Sequence, residues 1–248
     1  RPDCLPRSER AMADVEAQAT AYTPMAEGSS CIKDAAISVR MGFVRKVYGI
    51  LTAQLLVTVA IAAPLQQMPM KWLVENIWLM QVSLVGSIVA MIAIACCPSV
   101  GRTYPTNYIF LFAFTVCEAV LVGVVSARYT AGVVCVCAAI TTVIFLGMTV
   151  YAWTTKSDFT GAGPYLFGAL LALVALGCSI SLMGLLGMQV AAMTKLYAAI
   201  GVVLFTLFIV YDTQLILGEY GGHTHTYDVD EYVFAALNLY LDIINLFL

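Results

Sequence analysis

Residues 170–176 read LLALVAL, a stretch of apolar residues with no polar position among them. A strand of a membrane β-barrel alternates lipid-facing and lumen-facing residues with a period of two, and this stretch has no such alternation. It lies within an apolar run of about 20 residues, the length that a helix rising 1.5 Å per residue needs to cross about 30 Å of hydrocarbon. The stretch therefore predicts a membrane-spanning helix.

The same pattern recurs along the chain. The 248 residues are 61% hydrophobic and only 11% charged, a composition outside the range of soluble domains of this length. We predict an all-α integral membrane protein, built as a bundle of seven transmembrane helices within the lipid bilayer. The apolar runs that predict these helices lie at about residues 43–65, 78–97, 106–126, 130–152, 164–186, 191–217 and 231–248.

The first 40 residues differ, because they contain prolines, glycines and serines but no charged start and cleavage site of a signal peptide. We expect a disordered cytosolic tail over residues 1–40 and a transmembrane domain over residues 41–248. The positive-inside rule places the amino terminus in the cytosol, since basic residues precede or open the first run: Lys33, Arg40, Arg45 and Lys46. Basic residues in the short loops fall on both predicted sides and do not decide the orientation.

Three carboxylates, Glu118, Asp212 and Asp242, lie inside apolar runs without a neighbouring Lys or Arg in the sequence. An ionised Asp at the centre of a membrane helix costs about 2.5–3.5 kcal/mol on insertion scales, so such a group indicates a functional site. We expect Glu118 to face the interior of the bundle and to place an oxygen near a permeation route. A structural hydrogen bond is the alternative for this residue.

The last run carries a polar stripe, since Asn238, Asp242 and Asn245 follow the spacing i, i+4, i+7 and share one face of a helix. A short glycine-containing loop joins the last two runs and predicts an antiparallel hairpin. Asp242 lies about 16 Å along its helix from Glu231, and Asp212 lies about 12 Å before the loop. The two aspartates are therefore predicted to lie within about one helical turn of each other.

Two facing carboxylates in a dry interior cannot both ionise at low cost, so we expect Asp212 and Asp242 to share a proton and to act as a proton sensor. Calcium prefers several oxygen ligands and could replace that proton. A purely structural carboxyl–carboxylate hydrogen bond is the alternative. The residues that could supply further oxygens to calcium are Asn238, Asn245, Gln214 and Glu118.

The loop before the last run contains His223 and His225 beside acidic residues. A His-x-His pair could bind a metal or sense pH, but two histidines without a fixed third ligand are weak evidence. We interpret this segment as a solvated acidic loop and assign no metal to it. Apart from calcium as a permeant or transiently bound ion, we expect no cofactor, and we expect no nucleic-acid partner.

Several stretches resemble the transmembrane Bax-inhibitor-motif proteins, in particular the Lifeguard and glutamate-receptor-associated subgroup. The resemblance extends from residue 43 to residue 248, and its last two stretches are the most specific. The matching stretches are FVRKVYGILTAQLLVTV (43–59), RTYPTNYIFLFAFTVCEAVLVG (102–123), TTKSDFTGAG (154–163), YDTQLILG (211–218) and EYVFAALNLYLDIINLFL (231–248).

This resemblance implies a seven-helix fold, a passive calcium leak from intracellular stores and protection of cells from death signals. It implies residence in the endoplasmic reticulum or the Golgi and partners among membrane proteins that regulate cell death. Asp212 and Asp242 match the two aspartates of the pH sensor of the family. Arg102 is a weaker match to an arginine that holds one of those aspartates in some relatives.

Two other functions compete with a calcium leak. A membrane interaction protein that conducts nothing is compatible with the same sequence. An intramembrane aspartyl protease also has a Tyr-Asp pair, like Tyr211-Asp212, on its sixth span, but its second aspartate needs a Gly-x-Gly-Asp motif, and here Tyr240-Leu241 precedes Asp242. Walker, Rossmann and Ser-His-Asp signatures are absent from the sequence, and we predict that the chain is not an enzyme.

Overall fold

The structure of the chain, a computed structural model, describes residues 25–218 and 223–248. Within these residues the regular structure is entirely helical, so the predicted all-α class is confirmed. The helices are α1 (Met25–Gln66), α2 (Met70–Glu75), α3 (Ile77–Cys96), α4 (Pro98–Arg102), α5 (Thr106–Ser126), α6 (Ala131–Thr154), α7 (Gly163–Leu185), α8 (Ala191–Leu217) and α9 (Tyr232–Phe247), with a short 3-10 turn at Thr160–Ala162.

Six segments of the described chain are helical, apolar and long enough to cross a membrane. They are Ile37–Gln66, Ile77–Cys96, Thr106–Ser126, Ala131–Thr154, Thr160–Leu185 and Ala191–Leu217. The seventh apolar helix, α9, has 16 residues and therefore a length of about 24 Å, which is short of a full hydrocarbon core. The chain is an integral membrane protein, and a seventh complete crossing stays a prediction.

The packed helices belong to a compact unit that extends from Phe43 to Leu248. The predicted tail, residues 1–40, lies largely outside the described residues, which begin in α1 at Met25. The division into a disordered tail and a transmembrane domain at residues 40 and 41 stays a prediction, as does the cytosolic side of the amino terminus.

Helix α9 lies at the centre of this unit. It packs against α8, α6, α5 and α4, and Val233, Leu239 and Tyr240 are fully buried. A helix that is apolar around most of its circumference is surrounded either by other helices or by lipid, and these contacts place α9 among other helices. The other spans expose many apolar side chains instead, as expected for surfaces that face lipid.

Small residues allow neighbouring helices to approach closely at two points. A Cβ atom on Gly123 of α5 would lie 2.8 Å from Cβ of Leu65 and 3.1 Å from Cα of Ala62, both in α1. A Cβ on Gly163 at the start of α7 would lie 2.6 Å from the hydroxyl oxygen of Tyr211. Backbone contact of this kind is a usual source of helix association in lipid.

Contacts between helix ends establish the relative directions of the helices. At one end Nζ of Lys46 lies 3.1 Å from the ring centroid of Tyr232, so the first turn of α9 meets the early part of α1. At the other end Nε2 of Gln66 donates to the carbonyl oxygen of Tyr129 at 3.1 Å. Helices α8 and α9 pack against each other on either side of a short connection, which is the predicted antiparallel hairpin.

Candidate functional site

The last turns of α8 and the middle of α9 bring Asp212 and Asp242 together. Both residues are buried, with exposed fractions of 4% and 5%, and their carboxyl groups lie close enough to hydrogen-bond when one of them carries a proton. Asp212 lies about 7.5 Å before the end of α8, and Asp242 lies about 15 Å after the start of α9, so α8 ends more than one turn deeper than α9 begins.

Each carboxyl group has a different environment. Oδ1 of Asp212 accepts a hydrogen bond of 3.1 Å from the hydroxyl of Tyr227, whose oxygen in turn accepts one of 2.9 Å from Nδ2 of Asn238. Oδ2 of Asp242 is inaccessible to solvent. When the carboxyl is ionised, this oxygen has no hydrogen-bond partner among the described residues. A proton held between the two carboxyl groups would satisfy this oxygen, since a protonated carboxyl is a donor.

Three buried hydroxyl groups of α1, α6 and α8 lie close to one another. Those of Tyr48 in α1, Thr149 in α6 and Thr213 in α8 are inaccessible to solvent and unpaired among the described residues, and the first lies beside the other two. Thr213 directly follows Asp212. Buried unpaired hydroxyls that converge on one point can hold a bridging water.

The other predicted polar residues have separate partners. Both ends of the Gln214 amide bind the segment before α7, since Oε1 accepts from the backbone nitrogen of Phe159 at 2.7 Å and Nε2 donates to the carbonyl oxygen of Ser157 at 2.9 Å. Asn245 is exposed, and its amide donates to the Leu241 carbonyl oxygen one turn earlier. Of the predicted supporting residues, only Asn238 lies at the aspartate pair.

Arg102 lies at the end of α4 and contacts the loop before α9. Its Nη2 donates to Oε1 of Glu231 at 2.6 Å and lies 3.9 Å from Oδ2 of Asp228. This hydrogen bond and the negative charge raise the pKa of the guanidinium above its ordinary value. Among the described residues the ion pairs of Arg102 are therefore with the loop acids, whereas the family resemblance implied an aspartate of the sensor.

Glu118 is half-buried in α5 and lies apart from the aspartate pair. It is beside Ser87 of α3 and close to the phenol of Tyr240 in α9. That phenol and the hydroxyl of Thr58 are 2.8 Å apart. The carboxylate is thus part of a second polar cluster within the bundle, in which buried Nε2 of Gln54 also donates to Oγ1 of Thr115 at 3.0 Å.

The sequence analysis missed the residues that hold the loop between α8 and α9. Oδ2 of Asp158 accepts from the backbone nitrogen and the hydroxyl of Thr224, at 3.0 and 2.7 Å. Oδ1 of Asp158 accepts from the same two groups of Thr160, at 3.0 and 2.7 Å. These donors hold the pKa of the carboxyl well below its usual range. The Asp-x-Thr spacing, which favours a local turn, was the available signal.

The loop histidines also meet this segment, so the interpretation as a solvated loop is wrong for His223. That residue is only 6% exposed, and its Nδ1 lies 3.5 Å from Oδ1 of Asp158, which makes an ion pair when the imidazole is protonated. Nδ1 of His225 lies 3.3 Å from the Thr160 hydroxyl. No group of three His, Cys, Asp or Glu residues arranged to hold a metal ion occurs in the described part of the chain.

A family of known proteins matches almost all of this bundle. The family described as "Inhibitor of apoptosis-promoting Bax1" matches residues 40–248, which include both aspartates and the loop between them. The chain belongs to this family. Its members are membrane proteins implicated in the regulation of apoptosis, and they are regulatory proteins rather than known enzymes.

Curated relatives support the same assignment. Protein lifeguard 3 of Homo sapiens is 36% identical over 211 residues, which cover 84% of this chain and 67% of that protein. Protein lifeguard 3 of Mus musculus is 33% identical with the same coverage. Protein lifeguard 4 of Mus musculus is 37% identical over 221 residues, which cover 88% of this chain and 87% of that protein. The resemblance to the Bax-inhibitor-motif and Lifeguard proteins is thereby confirmed.

Proposed function

We propose that this Bax-inhibitor family member is a pH-sensitive calcium leak of an intracellular membrane, the endoplasmic reticulum or the Golgi, and that Asp212 and Asp242 are its proton sensor. In this role it lowers store calcium and protects the cell from death signals, together with membrane proteins that regulate cell death. Its amino terminus lies in the cytosol. The observation that carries the proposal is the buried contact between two carboxyl groups on neighbouring helices.

The chemistry of the pair supports a sensor. The causes of the proton affinity of the pair include no Lys or Arg; among the described residues, the titratable groups that interact with it are the two carboxyls themselves and the phenols of Tyr211 and Tyr227. Two negative charges within hydrogen-bonding reach of each other in a dry interior repel each other strongly. Protonation of one carboxyl removes that repulsion, so the proton occupancy of the pair controls how α8 and α9 pack.

Carboxylate oxygens also suit calcium, which takes six to eight oxygen ligands in flexible geometries. The pair provides up to four, and the amide oxygen of Asn238 would provide a neutral one. Protons and calcium would compete for the same oxygens. The coupling of flux to pH therefore has two sources, the competition at the pair and the packing of the hairpin.

Separation of α9 from α8 is the proposed conformational change. Ionisation of both carboxyls favours separation, whereas a shared proton holds the helices together. A difference of one pKa unit between the packed and the separated state corresponds to about 1.4 kcal/mol and shifts the ratio of these two states about tenfold. A modest difference in affinity is therefore sufficient to open and close a path beside α9.

Calcium flux into liposomes that contain only this protein tests the proposal. Purified protein is reconstituted around an indicator dye, and the initial rate is compared with that of protein-free liposomes at several pH values. We expect a protein-dependent rate that changes with pH. A rate equal to that of the protein-free liposomes at every pH would instead support the non-conducting interaction protein.

A further inference from the structure

The loop between α8 and α9 covers the aspartate pair through one residue. The backbone nitrogen of Tyr227 donates to the carbonyl oxygen of Leu215 at 3.2 Å, and its ring packs at 80° against that of Phe234, with centroids 6.2 Å apart. Its hydroxyl reaches Oδ1 of Asp212. Tyr227 thus joins α8, α9 and the carboxyl pair.

The phenol of Tyr227 is held in its protonated form. Burial raises the pKa of this group well above its ordinary value of 10.0. It therefore keeps a proton to donate to Asp212 while its oxygen accepts from Asn238. A donor of this kind favours the ionised form of the carboxyl that it binds.

Much of the rest of this loop is exposed. Asp228, Val229 and Asp230, which follow Tyr227, contribute nothing to the buried core. The ion pair of Arg102 with Glu231 has a half-exposed guanidinium, 51% by side chain, and such pairs contribute little. Segments with few apolar contacts open at low cost, so the position of this loop depends on its polar contacts with the rest of the chain.

Asp158 supplies such a contact. Its two carboxylate oxygens accept four hydrogen bonds, two from Thr160 on its own segment and two from Thr224 on the loop. The segment that carries Asp158 is itself fixed to α8 by the amide of Gln214. The loop is therefore attached, through one carboxylate, to the same helix that carries Asp212.

We propose that residues 223–231 form a lid over the aspartate pair, in which Tyr227 covers the pair and Asp158 is the anchor that keeps the lid closed. The lid separates the two carboxyls from the water at this end of the bundle. In the transport cycle it would regulate how protons and calcium reach the pair, and that part of the inference rests on the proposed function. Asp158 and Tyr227 are positioning residues, since they act through the aspartates.

Access of a water-soluble reagent to the pair tests the lid without any transport assay. The protein in liposomes is treated with a water-soluble carbodiimide and glycine methyl ester, which convert water-accessible carboxyls to amides, and peptide mass spectrometry measures the modified fraction of Asp212 and Asp242. We expect slow modification in the parent. We expect Asp158→Asn to raise it several-fold, because the side-chain amide places donors against the donors of Thr160 or Thr224.

Matched variants separate the lid from a general loss of structure. Asp230→Asn changes an exposed acid of the same loop and is expected to leave the modification rate unchanged. Thr224→Val removes one anchor donor and is expected to give an intermediate rate. Tyr227→Ala removes the cover and is expected to raise the rate, whereas Tyr227→Phe keeps the ring, loses only the hydroxyl that donates to Asp212 and is expected to raise the rate less. Equal rates in the Asp158→Asn, Tyr227→Ala and Asp230→Asn variants would overturn the lid.

Calcium flux measured on the same preparations distinguishes the two proposals. Raised modification in Asp158→Asn with no flux from any variant would retain the lid and contradict the calcium leak. A pH-dependent flux that Asp212→Asn flattens and Asp158→Asn leaves unchanged, with unchanged modification, would retain the leak and contradict the lid. We expect both to change, with more flux in Asp158→Asn at the pH at which the parent conducts least.

Discussion

Tyr227 and Asp212 are joined by a hydrogen bond of 3.1 Å, although Tyr227 lies in a loop and Asp212 is buried within α8. The bond connects the end of the bundle that meets water with a carboxyl group that water does not reach. A change in the loop therefore alters the proton affinity of the pair, and a change in the protonation of the pair alters how firmly the loop is held.

Tyr227→Phe is expected to move the midpoint of the flux–pH curve to higher pH. The phenol donates to the ionised carboxylate, so its loss favours the protonated pair, which then persists to higher pH. A hydrogen bond to a charged group contributes about 1.5–3 kcal/mol, which corresponds to a shift of about one pH unit or more. Fluorescence measurements of flux from about pH 5 to about pH 8 would show this shift. Tyr165→Phe, at an 82% exposed tyrosine, is the control, and a shared midpoint for all three proteins would contradict the assignment.

The contact between Asp158 and Thr224 is expected to persist when the pH falls from about 8 to about 5. Thr224 and Thr160 keep the pKa of Asp158 below its ordinary value of 3.8. A carboxyl whose pKa is lower in the folded state than in the unfolded state stabilises the fold at any pH above the unfolded pKa. This contribution is lost as the pH falls from the unfolded pKa through the folded pKa. Hydrogen exchange at the amide of Thr224, corrected for intrinsic rates, should show constant protection in this range. A loss of protection near neutral pH would contradict the role of Asp158 as the anchor.

Glu118→Gln is expected to lower calcium flux several-fold without a change in fold. The substitution keeps the shape of the side chain and its capacity to hydrogen-bond with Ser87 while it removes the charge. Circular dichroism and melting temperature provide the control for structure, and initial flux rates provide the result. A folded variant that conducts calcium like the parent would show that the charge is not used for transport and would leave a structural hydrogen bond as its role.

Gly123→Ala is expected to destabilise the bundle by about 1–3 kcal/mol, the usual cost of forcing extra volume into a packed site. The added methyl would meet Cβ of Leu65 at 2.8 Å and Cα of Ala62 at 3.1 Å, so α1 and α5 would have to separate. Gly147→Ala is the matched control, because its Cβ would meet nothing within 4 Å in α6. Thermal unfolding in detergent should show a lower melting temperature for the first variant only, and equal temperatures would contradict this packing.

Hydrophobic patterning predicted most of the fold because a helix that crosses lipid needs apolar side chains along the whole hydrocarbon core. Six apolar runs are long helices of spanning length, and their ends differ from the predicted ones by a few residues. The last run is a helix of 16 residues whose apolar side chains are mostly buried among other helices, whereas the other runs expose many apolar side chains to lipid. Composition cannot distinguish these two environments, because both require apolar residues around the whole helix.

Helix periodicity predicted part of the site. The rise per residue predicted that Asp212 and Asp242 lie within about one helical turn of each other once α8 and α9 form a hairpin, and their carboxyl groups are close together. Periodicity also put Asn245 on the face of Asp242, but it does not say which neighbours cover a face, and Asn245 is exposed in the last turn of α9. The contact of Asp158 with Thr224 joins residues 66 positions apart, and contacts between loops have no periodic signal in a single sequence.

The pH dependence of calcium flux through the Asp242→Asn variant, in liposomes that contain only this protein, tests the central claim most directly. The amide of asparagine hydrogen-bonds to Asp212 as a protonated carboxyl does, but it cannot release a proton. We expect the parent to respond to pH, and we expect the Asp242→Asn variant, folded and reconstituted in equal amount, to show a flattened dependence on pH, as we do for Asp212→Asn. A pH profile in both variants that matches the parent would contradict the claim that these two aspartates sense protons.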